Sequence, residues 1–218
     1  MSLTLEEVNR KLLHGLAVGL PAGIFYGPDL LGLPVWSPAP IIGSLFLFSL
    51  AVEFLRFRNS SFGGLFDRCF GSMLRQEESS SLTGATYVFG GSFLCSLLAL
   101  NGPLAATASF LGLSIFILGD AAAALVGKAF GRTRIGDKTL EGALGCFGLC
   151  LILSGFVFPV LPDFSDSWGD LSWTHAVFLS ALVAALELFP VRVGRFVLND
   201  NLYVPVVVAL AALAIHNA

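Results

Sequence analysis

Charge is scarce in this sequence. Twelve basic and 15 acidic residues make up 12% of the 218 positions, about half the ~25% of an ordinary soluble chain. Apolar types reach 56% and the mean hydropathy is +0.83, so there is too little polar surface to face water. That excludes a soluble enzyme and a disordered chain, and a net charge of −3 gives nucleic acid no basic face. Cysteine is sparse as well. Cys69, Cys95, Cys146 and Cys150 form no CxxC pair and have no histidine near them in sequence, so neither a zinc site nor a secreted disulfide scaffold is encoded. They read as small packing residues. Soluble nucleotide and hydrolase signatures are missing too. A Walker A loop fails because Ala122 stands for its first glycine and Ala129 for its hydroxyl residue. There is no GxGxxG, HExxH or GxSxG. No internal repeat is visible, which argues against a transporter built from duplicated halves.

What remains is long apolar runs. A lipid-exposed segment must satisfy its own backbone, so each run of ~20 residues reads as a helix. Seven spans fit, at about 12–30, 38–57, 84–101, 104–129, 141–161, 173–190 and 202–217. The fold expected is all-α, a polytopic membrane helical bundle, with residues 1–218 forming a single integral-membrane domain. Every lysine and arginine falls in alternate segments: Arg10 and Lys11; Arg56, Arg58, Arg68 and Arg75; Lys128, Arg132, Arg134 and Lys138; Arg192 and Arg195. The intervening loops hold only Asp29, Asp163, Asp166 and Asp170. The positive-inside rule then places the N-terminus and charged loops in the cytoplasm and the C-terminus on the opposite side. The first run is expected to be a retained span, because no cleavage site follows it.

Two flanking segments are also legible. Thr4 and Glu7 form a capping box inside a Leu3/Val8 staple, so a helix should carry Arg10, Lys11 and His14 on one face. Phe62, Leu65, Phe66, Cys69, Phe70, Met73 and Leu74 follow helical spacing opposite Asp67, Arg68 and Arg75. That pattern predicts an amphipathic helix lying on the cytoplasmic interface.

An ionisable residue inside a span is costly and therefore a candidate for function. Asp120 is the strongest, set among Ile115–Gly119 and Ala121–Ala124. Glu53, three residues before Arg56, and Glu187 near the end of span six read equally as structural ion pairs or as functional groups. After Asp120 the residues Ala123, Gly127 and Gly131 recur every four positions, a smooth stripe that admits a neighbouring helix or a nucleotide to the backbone. Lys128, Arg132, Arg134, Lys138 and Thr139 then precede Glu141 and Gly142. Carboxylates beside cations and exposed amides suit a magnesium–polyphosphate site.

The run from Asp120 to Gly142 closely resembles the signature of the dolichol kinase, phytol kinase and CTP-dependent diacylglycerol kinase family, roughly DxxAxxxGxxxG, a basic spacer, then KTxEG. Arg10-Lys11-Leu12-Leu13-His14, Glu53-Phe54-Leu55-Arg56, Leu82–Tyr87, and Asp200-Asn201-Leu202 before Pro205 extend the resemblance along nearly the whole chain. Asp137 before Lys138 departs from the frequent KKTxEG form, and the chain is short for a eukaryotic dolichol enzyme. The resemblance implies transfer of the γ-phosphate of CTP to a lipid alcohol at the membrane surface, with an isoprenoid alcohol preferred and diacylglycerol the alternative. It implies Mg²⁺ on Asp120 and Glu141, with Glu53 and Asp200 as further metal or proton-transfer candidates. Lys138 and Arg132 would neutralise phosphate charge, and Gly127 and Gly131 would admit the nucleotide. Lys128, Thr139 and Gly142 belong to the same nucleotide-binding stretch. Arg10, Lys11 and His14 would line the site, with His14 or a carboxylate taking the hydroxyl proton. More distant alternatives are a phosphatidate cytidylyltransferase-like enzyme and a transporter with Asp120 as an ion site.

Overall fold

The computed structural model describes residues 16–71, 74, 76–194 and 196–217. The capping box at Thr4 and Glu7, the Arg10, Lys11 and His14 face, and Met73, Arg75 and Arg195 lie outside the described residues.

The described chain is helical apart from two short hairpins. The first expected span is broken into α1 (Gly19–Phe25) and α2 (Gly27–Leu31). Gly32 ends α2 in the left-handed region at φ 62°, which suits a residue without a Cβ. Next come α3 (Pro38–Arg58) and α4 (Ser60–Phe70), then α5 (Gly84–Ala99) and α6 (Pro103–Phe130). A hairpin of β1 (Arg134–Ile135) and β2 (Lys138–Thr139) leads into α7 (Leu140–Ile152). α7 continues through one π turn, Leu153–Val157, and a 3-10 turn, Phe158–Val160. α8 (Phe164–Trp168) and α9 (Trp173–Leu188) follow. A second hairpin of β3 (Arg192–Val193) and β4 (Phe196–Val197) leads to α10 (Asp200–His216).

Among the described residues three helical stretches are long and apolar enough to cross a membrane: Pro38–Arg58, Pro103–Phe130 and Leu140–Val160. α5, α9 and α10 are shorter apolar helices. The helix starts follow local chemistry. Proline opens α3 and α6, where its missing N–H is no loss. Asn59 caps α4 through Ser61 and Phe62 N–H, and Ser172 caps α9 through His175 N–H.

α6 is the axis of the bundle, packed by α1, α5, α7, α8, α9 and α10. Its core side chains Leu111, Leu113, Ile115, Phe116 and Ile117 are buried. Close backbone approach fixes two of its crossings. A Cβ on Gly112 would lie 2.8 Å from Pro205 O, so only glycine lets α10 sit there. A Cβ on Gly119 would meet the Cys146 and Cys150 sulfurs at 2.8 and 2.9 Å, so those free cysteines are packing residues of α7, as expected.

The two ends of the bundle differ. At one end Tyr26 donates its hydroxyl hydrogen to Pro162 O, and Trp168 packs on His216. The opposite end gathers the described cations of the hairpins and their flanks, both hairpins and most of the buried carboxylates. The two hairpins resemble each other locally. Each has a two-residue turn opened by a glycine at φ 62°, Gly136 and Gly194. Each is closed by the same bond, Leu140 N–H to Thr133 O and Leu198 N–H to Val191 O, both 2.9 Å. The likeness is confined to about ten residues, Thr133-Arg-Ile-Gly against Val191-Arg-Val-Gly, too short to show as periodic hydropathy.

Candidate functional site

The first hairpin delivers Lys138. The Gly136 turn reverses the chain, and Glu141 ties the hairpin base, its two carboxylate oxygens accepting from Thr133 N–H at 3.1 and 3.2 Å. Thr139 Oγ1 caps α7 by accepting from Gly142 N–H. Held between these fixtures, Lys138 Nζ reaches Glu187 Oε1 of α9 at 2.5 Å and Asp200 Oδ2 of α10 at 3.4 Å. Asp120 of α6, 7% exposed, is near enough for its charge to act on the same ammonium. Burial alone would lower the Lys138 pKa. The carboxylates of Glu187, then Asp200, then Asp120 outweigh that and hold it above the ordinary lysine value.

A cavity of about 870 Å³ reaches the same region from α3, α4 and α5. Most of its wall is apolar, with Ser49, Glu53, Glu78, Thr83, Asp120 and Asn201 as the acidic and polar lining. Asp120 therefore borders both the cavity and the Lys138 cluster.

A second polar network braces the cavity. Glu53 Oε1 accepts from Thr83 N–H at 2.8 Å and Thr86 Oγ1 at 3.2 Å, while Oε2 pairs with Arg56 at 2.8 Å. Arg56 donates onward to Glu78 O and Ser81 O, and Glu78 Oε1 accepts from Gly84 N–H at 2.9 Å. Glu53 thus clamps α3 to the start of α5.

The structure brings together Asp120, Lys138 and Asp200 of the expected site residues and adds Glu187. It does not bring Glu141 or Glu53 into that cluster: their carboxylates are engaged by Thr133 and by Thr83 and Arg56. The glycine stripe also serves differently from the expectation that it admits a nucleotide. A Cβ on Gly127 would lie 2.6 Å from Thr139 Oγ1 and 3.5 Å from Gly142 Cα, and one on Gly142 would lie 2.6 Å from Ala123 O. The start of α7 fills the stripe, and Gly131 likewise abuts Thr139. Lys128, Arg132 and Arg134 are exposed at this end. The amphipathic stripe of α4 borders the cavity through Phe62, Leu65, Phe66, Cys69 and Phe70, with Leu65, Cys69 and Phe70 still exposed.

The donor set fits magnesium carried by a polyphosphate. Asp120, Glu187 and Asp200 supply hard oxygens, the class Mg²⁺ prefers, and Mg²⁺ on substrate phosphates needs only one or two protein carboxylates. Among the described residues no three His, Cys, Asp or Glu side chains form a cage for a free ion. The fit is therefore to a metal–phosphate complex that supplies the remaining oxygens.

Comparison with known proteins gives a consistent set of relatives. The profile of the cytidylyltransferase family matches residues 13–189. Dolichol kinase of Saccharomyces cerevisiae is 29% identical over 163 residues, 72% of this chain and 28% of that protein. CTP-dependent diacylglycerol kinase 1 of Schizosaccharomyces pombe is 26% identical over 211 residues, 94% of this chain and 91% of that one. The match thus spans little more than a quarter of the yeast dolichol kinase but nearly all of the fission-yeast protein. No solved structure matches the chain.

Proposed function

The chain belongs to the cytidylyltransferase family, and on that footing we propose that it is an integral-membrane lipid kinase transferring the γ-phosphate of CTP to the hydroxyl of an isoprenoid alcohol. The observation that carries this reading is the position of Asp120, shared by an apolar cavity and a cluster of carboxylates around one lysine. A lipid hydroxyl and a cytosolic phosphate need such a meeting point.

The chemistry divides among the named residues. The alcohol oxygen attacks the γ-phosphorus, the bond from that phosphorus to the β–γ bridging oxygen breaks, and CDP leaves. Asp120 takes the hydroxyl proton as the bond to phosphorus forms. Lys138 exchanges Glu187 and Asp200 for phosphate oxygens and neutralises charge there. One or two of Asp120, Glu187 and Asp200 would hold Mg²⁺ carried in by the nucleotide, and the ion would supply positive charge to the phosphates. Arg132, Arg134 and Arg192 offer further cations at this end.

The depth of the site supports the same reading. α6 has 28 residues, about 42 Å of helix against a hydrocarbon core of ~30 Å. An overhang of about 12 Å at the charged end would bring Asp120 near the boundary. The charged end is cytoplasmic by its excess of lysine and arginine.

A second reading, a CTP-dependent diacylglycerol kinase, is favoured by the nearly end-to-end match with the fission-yeast protein. One assay tests both. Purified protein with Mg²⁺, nucleotide labelled at the γ-phosphate and a panel of lipid alcohols should yield labelled lipid phosphate and CDP, faster from CTP than from ATP. Release of pyrophosphate with transfer of cytidylate to phosphatidate would replace the kinase by a cytidylyltransferase. Equal use of both nucleotides, or full activity in chelator, would contradict the proposal.

A further inference from the structure

We propose that the cavity between α3, α4 and α5 is the acceptor site. It would enclose the hydroxyl-bearing end of one isoprenoid chain, with Asn201 accepting the hydroxyl's hydrogen bond as the alcohol docks, before Asp120 takes the proton in the reaction. This rests on the lipid-kinase reading and adds the location, the binding residue and the basis of substrate choice.

Three observations converge. The wall is largely apolar, five phenylalanine rings (Phe48, Phe62, Phe66, Phe70 and Phe89) among aliphatic side chains. A chain of pure hydrocarbon fits such a wall. Diacylglycerol would bring two ester groups whose carbonyls need donors, and Thr83 N–H and Gly84 N–H are already held by Glu53 and Glu78. Second, Asn201 lines the cavity, is only 9% exposed, and its Oδ1 is buried with no hydrogen-bond partner among the described residues. A buried acceptor left unmatched is costly, and an alcohol supplies the missing donor. Third, the cavity opens sideways: Phe48, Leu65 and Phe70 on its rim are at least half exposed. The tail of a long lipid can leave between α3 and α4 into the bilayer while its head stays enclosed.

α4 is hinged firmly enough to serve as the outer wall. Asn59 caps its first turn, Gly63 approaches Arg56 O closely, and the Arg56 guanidinium lies 5.0 Å from the Phe66 ring centroid. Specificity then follows from the first isoprene units, and chain length beyond the rim has little influence.

The test is photo-cross-linking of the full chain in nanodiscs, using a short isoprenoid alcohol with a diazirine on the unit next to the hydroxyl. Labels should fall on α4 and α5, at Leu65, Phe66, Val88 and Phe89, and unlabelled isoprenoid alcohol should displace them while diacylglycerol does not. Ala85→Trp, at an exposed position on the cavity wall, should abolish these labels, and Asn201→Leu should raise the KM for the alcohol at least tenfold. In both variants CTP should still raise the melting temperature as in the wild type. Labels scattered over outward residues such as Leu47 and Phe156, or displaced equally by diacylglycerol, would overturn the assignment. Because cross-linking needs no turnover, specific labels without any CTP response would keep the acceptor site and remove the phosphoryl-transfer reading.

Discussion

Lys138 and Glu187, 49 residues apart in sequence, meet at 2.5 Å and join the first hairpin to the end of α9. Asp200 at 3.4 Å extends the contact to α10. One ammonium therefore holds together carboxylates from separate helices, which would otherwise repel one another.

Removing that ammonium should be costly. Lys138→Met leaves Glu187, 4% exposed, without its cation; because Lys138 itself is 32% exposed, losing this half-buried pair costs about 2 kcal/mol. The melting temperature in nanodiscs should fall by several degrees, and phosphate transfer should be lost. Lys138→Arg should recover most of the stability but less of the activity, because the planar guanidinium does not replace a point charge among three carboxylates.

The pH dependence follows from the same contact. The folded Lys138 pKa lies above the ordinary lysine value, so folding favours the protonated form. Its stabilisation is fully present below the unfolded lysine pKa and disappears as pH rises through the raised folded value. An alkaline melting series should show a loss of stability in that range for the wild type, and Lys138→Met should lack that step.

Gly127→Leu tests the packing of the stripe. The new side chain would strike Thr139 and Gly142, and overpacking of this kind costs about 2 kcal/mol. Thermal unfolding should show the loss even without nucleotide. A variant as stable as the wild type, yet unable to bind CTP, would instead make the stripe a nucleotide contact.

Cysteine labelling tests the orientation. Probes at Arg132 should react from the cytoplasmic side and probes at Asp166 from the other. Labelling of both from one side would contradict the alternation of charge.

Hydropathy alone revealed the apolar helices, because a lipid-facing segment needs little tertiary information. Asp120 and Lys138 were legible for a related reason: each is a costly residue in a patterned context. Glu187 stood out as a buried carboxylate, but its partnership with Lys138 depends on how the first hairpin folds back over α9. The Ala123–Gly127–Gly131 stripe was ambiguous because a smooth face accepts a helix as readily as a ligand. The structure uses it for Thr139 and Gly142 of its own chain. The α4 stripe was ambiguous in the same way. Helical periodicity shows that one face is apolar, yet it does not distinguish a bilayer from an internal cavity. The Glu53–Arg56 pair was visible at i, i+3, whereas its hold on Thr83 was not.

The most direct measurement is phosphate transfer by Asp120→Asn compared with its melting temperature. The substitution preserves shape and removes the charge that the cavity and the lysine cluster share. Turnover from CTP to lipid alcohol should fall at least ~100-fold, the scale of losing a key electrostatic group, while the melting temperature changes little. An Asp120→Asn protein with wild-type turnover would contradict the account, making the buried carboxylate structural and placing the chemistry elsewhere.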